Sequence, residues 1–343
     1  MSRTTRSIRS ALAAVGALLC SVGAGAQTAV IYGLLDASGA RVKPVGGGKA
    51  MYELDSGNLT RSFLGIRGSE DLGGGLRAVF RFESYVRVDS GSVGRVNGDP
   101  FWGRESSVGL SGAFGTSVLG RNASPLYLTT ISFNPFGEAF GFSPATRQYF
   151  GTSGVMLGDT HWNNSISYNN NTTDAPLRIH FAANLPEEAA RTPPAGRNFG
   201  ASVSYITGPL AATVALERIE NSPQAIPAGF HRQTAVQFGA TYDFKFVRVY
   251  GQAGHVKTDA TLDEKTTLYQ LGAAVPIGTS LILASYGQAH KKSQLSGTTD
   301  RTISLGYDYF LSKNTDIYVA ALHEKLSFVA SGNSIAGGVR LRF

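Results

Sequence analysis

The sequence predicts an all-β chain built as an antiparallel barrel that crosses a membrane with strands. Three observations predict it. Apolar and polar residues alternate with period two over segments of about ten residues. The connections between those segments are alternately short and long. No apolar run after Val22 is long enough for a spanning helix, which needs about 20 residues.

The chain opens on an export signal. Arg3, Arg6 and Arg9 give a basic start, Ala11 to Val22 an apolar stretch, and Ala24-Gly25-Ala26 the small residues that a signal peptidase reads. Cleavage is expected before Gln27, which divides the chain into a signal peptide (1–26) and a barrel domain (27–343). Loss of 1–26 removes three arginines and no acid, so the formal charge falls from +7 to +4. It also removes Cys20, the single cysteine, so disulfides and thiolate chemistry are excluded from the mature domain. High glycine (42), few methionines (3) and low charge (16%) fit a β-rich exported protein better than a charge-rich soluble domain.

The alternation is clearest from Leu76 to Arg87. Leu76, Ala78, Phe80, Phe82 and Val86 share one face; Arg77, Arg81, Glu83, Tyr85 and Arg87 share the other. Leu177, Ile179 and Phe181 alternate with Arg178 and His180. Val249, Gly251 and Ala253 alternate with Tyr250 and Gln252. Ile335, Gly337, Val339, Leu341 and Phe343 alternate with Ala336, Gly338, Arg340 and Arg342. In a soluble sandwich the charged face would be expensive; in a barrel it meets water while the apolar face meets lipid. Sixteen strands are expected. They start near Thr28, Leu59, Leu76, Arg104, Thr116, Asn163, Leu177, Phe199, Ala211, Arg232, Phe246, Lys265, Ser280, Asp300, Thr315 and Ser334. Long connections are expected at 41–58, 88–101, 122–160, 186–197, 221–231 and 291–299. First and last strands must pair, because lipid offers no partner to an open sheet edge.

Several motifs then resemble the trimeric general porins of Gram-negative bacteria, in particular the neisserial and β-proteobacterial group. They are Val30-Ile31-Tyr32-Gly33-Leu34-Leu35-Asp36-Ala37, Gly68-Ser69-Glu70-Asp71-Leu72-Gly73-Gly74-Gly75-Leu76, Leu119-Gly120-Arg121, Asn134-Pro135-Phe136-Gly137-Glu138, Leu305-Gly306-Tyr307-Asp308-Tyr309 and Gly338-Val339-Arg340-Leu341-Arg342-Phe343. Their order runs through essentially the whole mature chain. The resemblance implies a sixteen-stranded outer-membrane barrel, a homotrimer, and a third loop folded into the pore. It also implies a terminal aromatic, Phe343, that the outer-membrane assembly machinery reads. Outer-membrane lipid and lipopolysaccharide are then expected partners, and small polar solutes and ions the cargo.

A diffusion channel has no reaction to accelerate; pore radius and the charges at the narrowest point do its work. The long segment 122–160 carries Phe133, Phe136, Phe140, Phe142 and Phe150, which suggests a packed loop. With that loop in the pore, Glu138 and Arg147 are the candidate charges on its side. Opposite them, Arg61, Arg67, Arg81, Arg104 and Arg121 are the candidate basic wall, each with a rim salt bridge as its alternative. The sequence departs from the resembled group at Phe63, His161 and Ser167, where relatives carry basic residues. The expectation is therefore a weak to moderate anion preference. Two other readings are a substrate-specific channel on the same barrel and a non-conducting exported β protein such as an adhesin.

Other chemistry finds no support. Gly46-Gly47-Gly48-Lys49 precedes Ala50 and lacks the upstream glycine of a phosphate loop. The six histidines are scattered singly, so neither a metal nor any other cofactor is expected. No enzyme is expected, and the spread-out positive charge gives no footprint for nucleic acid.

Overall fold

A computed structural model describes residues 28–151, 154–170, 176–185, 197–220 and 226–343. The export signal expected at 1–26 lies outside the described residues. The strands are β1 (Thr28–Lys43), β2 (Met51–Ser56), β3 (Phe63–Gly73), β4 (Leu76–Arg87), β5 (Ser92–Val93), β6 (Glu105–Gly112), β7 (Gly115–Ala123), β8 (His161–Asn169) and β9 (Leu177–Asn184). Then come β10 (Phe199–Thr207), β11 (Leu210–Ile219), β12 (Arg232–Asp243), β13 (Arg248–Asp259), β14 (Glu264–Ile277), β15 (Ser280–Ser293), β16 (Gly297–Phe310), β17 (Thr315–Leu326) and β18 (Gly332–Arg342).

They close into a ring of sixteen staves. Each strand from β6 to β17 pairs antiparallel with the next, and β18 returns to β1 with Leu34 opposite Arg342 and Lys43 opposite Asn333. The ring is tied at its end by Gly33 and Phe343, whose N–H groups each donate to the other's carbonyl at 3.0 and 3.1 Å. Closure has a plain cause: every backbone polar group left open in hydrocarbon costs several kcal/mol. Two of the eighteen strands are not separate staves. β3 pairs with the first half of β1 (Thr28 with Ser69, Leu34 with Phe63), and β2 pairs with its second half (Ala37 with Ser56, Val42 with Met51). They form one stave interrupted at 57–62. β5 pairs only with the end of β4.

The burial pattern is that of a globular protein turned inside out. On β16, Thr302, Ser304 and Asp308 are buried while Ile303, Leu305 and Tyr307 are exposed. On β17, Asp316, Tyr318 and Ala320 are buried and Ile317 and Val319 exposed. Exposed apolar side chains would be costly in water; a lipid-facing surface removes that cost. Among the described residues no helix is long and apolar enough to cross a membrane.

Fifteen of the sixteen expected starts fall within three residues of the observed ones, and the second, expected near Leu59, lies inside a stave that already begins with β2 at Met51. The connections needed correction. The expected loop 41–58 holds β2, which continues the wall beyond its Gly46-Gly47-Gly48 tip, and 88–101 holds β5. The expected loop 291–299 shrinks to three residues, because β15 and β16 keep pairing past the apolar band as far as Lys292 with Gly297.

Candidate pore constriction

The third loop runs from the end of β7 to the start of β8. It contains two short helices that the alternation did not announce, α1 (Pro125–Ser132) and α2 (Pro144–Phe150). Both begin on a Ser-Pro pair. Ser124 Oγ accepts from Tyr127 N–H and Ser143 Oγ from Thr146 N–H, each at 3.2 Å, and the proline follows at the first helical position, where its missing N–H costs nothing.

The wall is cut to receive this loop. A Cβ added to Gly254 would lie 1.7 Å from the Tyr149 hydroxyl, one on Gly272 would lie 2.6 Å from Pro135, and one on Gly287 would lie 2.7 Å from Pro144. Side chains on the same buried face reach into the loop backbone. Gln233 receives Leu157 N–H and donates to the Val155 carbonyl, both at 2.9 Å. Gln252 donates to the Thr130 carbonyl at 3.0 Å, and Glu217 accepts from Leu126 N–H at 2.9 Å. Phe238, one residue from the buried Gln237, is 58% exposed, so the glutamine face is the inner one.

On the other side of the lumen the loop meets the 57–62 interruption. Asp36 Oδ2 accepts from Leu59 and Thr60 N–H at 2.9 and 2.7 Å, and Leu59 packs with Phe136, Ala139 and Phe142. Arg61 lies in this interruption. Its guanidinium sits 3.4 Å over the Phe140 ring and makes no ion pair among the described residues. Ring stacking leaves the full positive charge in place.

The structure brings Arg104 and Glu138 together. Arg104 bonds Glu83 at 2.8 Å and Glu138 at 3.3 Å, over the rings of Phe63 and Tyr85. Tyr127 donates its hydroxyl to Glu138 at 3.3 Å, and full burial holds that hydroxyl well above its ordinary pKa. Arg147 reaches across to Glu324 on β17 at 2.7 Å. Arg67 and Arg81 face each other in register nearer the short-turn end. Arg81 pairs with Glu105 at 3.1 Å, and Arg67 covers the Tyr32 ring.

Arg121 takes no part in this contact. It is opposite Ser106, and its guanidinium goes to the Gly103 and His161 carbonyls, Asn163 and Asp159. Asp159 also takes two bonds from Arg95, which is bound in turn to Asp99. Burial alone would raise the Asp159 carboxyl. The hydrogen bonds and charges of Arg95 and Arg121 outweigh it and hold the group well below the usual carboxylate range. This latch between the second and third loops was not foreseen, because Arg95 and Asp159 are 64 residues apart.

Above the contact, a cavity of about 680 Å³ opens toward the long loops. Lys43, Arg61, Arg95 and Arg147 line it beside Asp99, Asp159, Asp300 and Glu324. Both signs are present, and Arg61 is the arginine among them left without a carboxylate.

Residues 11–327 match the family model described as Gram-negative porin. The chain belongs to the Gram-negative porin family. Outer membrane porin protein 32 of Delftia acidovorans is 32% identical to this porin over 97% of the chain and 95% of the relative. A major outer membrane protein P.IA of Neisseria meningitidis serogroup C is 52% identical over 76 residues, 22% of this porin and 18% of that protein. Among solved structures, the anion-selective porin from Comamonas acidovorans superposes with a TM-score of 0.79 at 27% identity, covering 92% of this porin and all of that chain. The porin is an outer-membrane protein by family and by architecture.

Proposed function

We infer that this porin is a passive diffusion channel for small hydrophilic solutes and ions, with a weak to moderate preference for anions. The observation that carries the preference is Arg61, a cation lodged against Phe140 of the third loop with no carboxylate partner. Arg104 and Arg147 lie close by, but Glu83, Glu138 and Glu324 offset them. One uncompensated cation at a narrow, partly desolvated point biases ion entry without excluding the other sign. The similarity to a porin described as anion-selective supports the same sign.

In this reading the third loop forms the constriction. Glu138 and Arg147 stand on the loop side, and Arg61 and Arg104 on the wall side. Arg67 and Arg81 line the lumen below. Arg121 serves as a brace for the loop base. The functional unit is a homotrimer exported with cleavage before Gln27, and Phe343 is the aromatic that assembly machinery reads. No reaction is assigned to the chain.

Planar bilayers holding the purified porin under a KCl gradient test the proposal. The reversal potential is expected to have the sign of chloride preference. A clear potassium preference would overturn it.

A further inference from the structure

We propose that Asp36, buried in the barrel wall, is a positioning residue that sets the charge preference of the pore by holding Arg61 in the lumen. The proposal rests on the anion-preference reading above and names the residue behind its selectivity cation.

The first observation is a surplus of chain. Between Leu34 and Ala37, β1 advances three residues, while its partner stave advances seven, from Ser56 to Phe63. Four residues more than the register needs therefore leave the sheet. They turn inward. Leu59 is buried and packs with Phe136, Ala139 and Phe142 of the third loop. A Cβ added to Gly141 would lie 2.8 Å from the Asn58 carbonyl oxygen, so the loop backbone runs directly against the excursion. Arg61 is carried at the far end of this excursion, with its guanidinium over the Phe140 ring.

The second observation is what ties the excursion down. A segment outside the ladder must find other acceptors for its buried N–H groups. Asp36, fully buried on the inner face of β1, supplies most of them. Its Oδ2 takes the Leu59 and Thr60 N–H groups, and its backbone carbonyl takes Gly57 N–H at 2.9 Å. Its own N–H donates to Ser62 Oγ at 2.8 Å. Both ends and the middle of the excursion thus converge on one residue. Gly57, with φ of +81°, makes the left-handed turn that opens it.

The third observation is what stands behind Asp36. Tyr318 on β17 donates its hydroxyl to Oδ1 at 2.6 Å. Arg340 on β18 lies opposite Asp36 in register but turns elsewhere. It bonds Asp316 at 2.7 Å and Asp308, and donates to Thr60 Oγ1 at 3.0 Å. Thr60, the residue before Arg61, is therefore held through its backbone by β1 and through its side chain by β18. The seam that closes the barrel is also the mount of the selectivity cation. A carboxylate suits position 36 because both of its oxygens accept. An amide of the same shape would turn an NH₂ group toward N–H or hydroxyl donors.

The two roles open to Asp36 have opposite signs. As a bare charge it would draw cations, and its removal would raise anion preference. As the mount of Arg61, its removal frees that side chain from the Phe140 ring and lowers anion preference.

The test uses the full mature porin in planar bilayers under a KCl gradient, with Asp36→Asn, Arg61→Gln, the double variant, and Tyr318→Phe. Heat-sensitive gel migration identifies the folded variants. Asp36→Asn is expected to lower the chloride-to-potassium permeability ratio by about twofold or more, against the sign of the charge it removes. Added to Arg61→Gln it should lower the ratio no further, because two residues acting through one contact are not additive. Tyr318→Phe deletes one hydroxyl and no charge, and should shift the ratio the same way by less. It carries the test if Asp36→Asn does not fold. An unchanged or raised ratio in folded Asp36→Asn would overturn the proposal, as would a further fall of the same size in the Arg61→Gln background. With Tyr318→Phe alone, an unchanged or raised ratio overturns it. The sign of the wild-type potential tests the anion-preference reading, whereas the direction of the Asp36→Asn shift tests this mount, so the two failures are distinct.

Discussion

Arg104 on the barrel wall and Glu138 on the third loop meet at 3.3 Å, and the same guanidinium holds Glu83 at 2.8 Å. One cation thus ties the loop to the wall between two carboxylates. The contact fixes where the loop stands, and it also cancels most of the charge that a lone arginine would bring.

The Arg61→Gln variant should therefore weaken anion preference, and Arg147→Gln should weaken it as well. Arg61 has no carboxylate to release, whereas removing Arg147 frees Glu324. A fall in the chloride-to-potassium permeability ratio of roughly twofold to fivefold is expected for Arg61→Gln. Reversal potentials in a salt gradient read it directly.

Glu138→Gln should move selectivity the other way. It leaves Arg104 with Glu83 alone and raises anion preference. Arg104→Gln exposes two carboxylates and should bring the channel close to non-selective or toward cations. If both changes shift the reversal potential in the same direction, the pairing is not electrostatic in effect.

The seat for the third loop is sensitive to single atoms. In Gly254→Ala the new methyl would lie 1.7 Å from the hydroxyl of the buried Tyr149, so α2 must move. A stability loss of about 1–3 kcal/mol and an altered single-channel conductance are expected. Gly251→Ala, whose Cβ would meet only Leu271 at 3.7 Å, is the neutral control. Thermal unfolding followed by gel migration separates the two.

The latch at Asp159 carries a pH prediction. Its carboxyl and that of Asp99 lie below their ordinary value of 3.8. For both, burial pushes upward and Arg95 prevails. A depressed folded value means the stabilisation is present above about pH 4 and is lost only as pH falls through the folded value. Current traces should therefore show no loosening of the loops between pH 7 and about pH 4. Asp159→Asn leaves Arg95 and Arg121 facing a neutral group and should cost up to about 3 kcal/mol. Its traces should be noisy at every pH.

Much of this fold was legible because lipid and water impose opposite demands on alternate residues. Leu76 to Arg87 shows a face change at almost every step, and so the staves could be placed. The seam was marked by motif rather than by pattern. Asp36, Asp308 and Arg340 belong to the motifs that carried the porin resemblance. The structure shows them linked: Arg340 binds Asp308 and Asp316, and Tyr318 donates to Asp36 at 2.6 Å. What the sequence hid depends on register and on residues far apart. Nothing local distinguishes Arg61, stacked and uncompensated, from Arg121, used up on loop carbonyls. The two helices were signalled only by Ser124-Pro125 and Ser143-Pro144, a capping cue that is easily lost inside a loop rich in phenylalanine and glycine.

The most direct measurement is single-cysteine modification during recording. The chain's one cysteine is Cys20, which the proposed cleavage before Gln27 removes, so an introduced thiol is then unique in the mature porin. A charged, membrane-impermeant thiol reagent is added to channels carrying Arg81→Cys or Leu305→Cys. The Arg81 side chain is 44% exposed on the inner face, and Leu305 lies on the outer one. Stepwise change of current at position 81 and silence at position 305 is the predicted result. Current that responds at 305 and ignores 81 would contradict the aqueous lumen on which the channel rests.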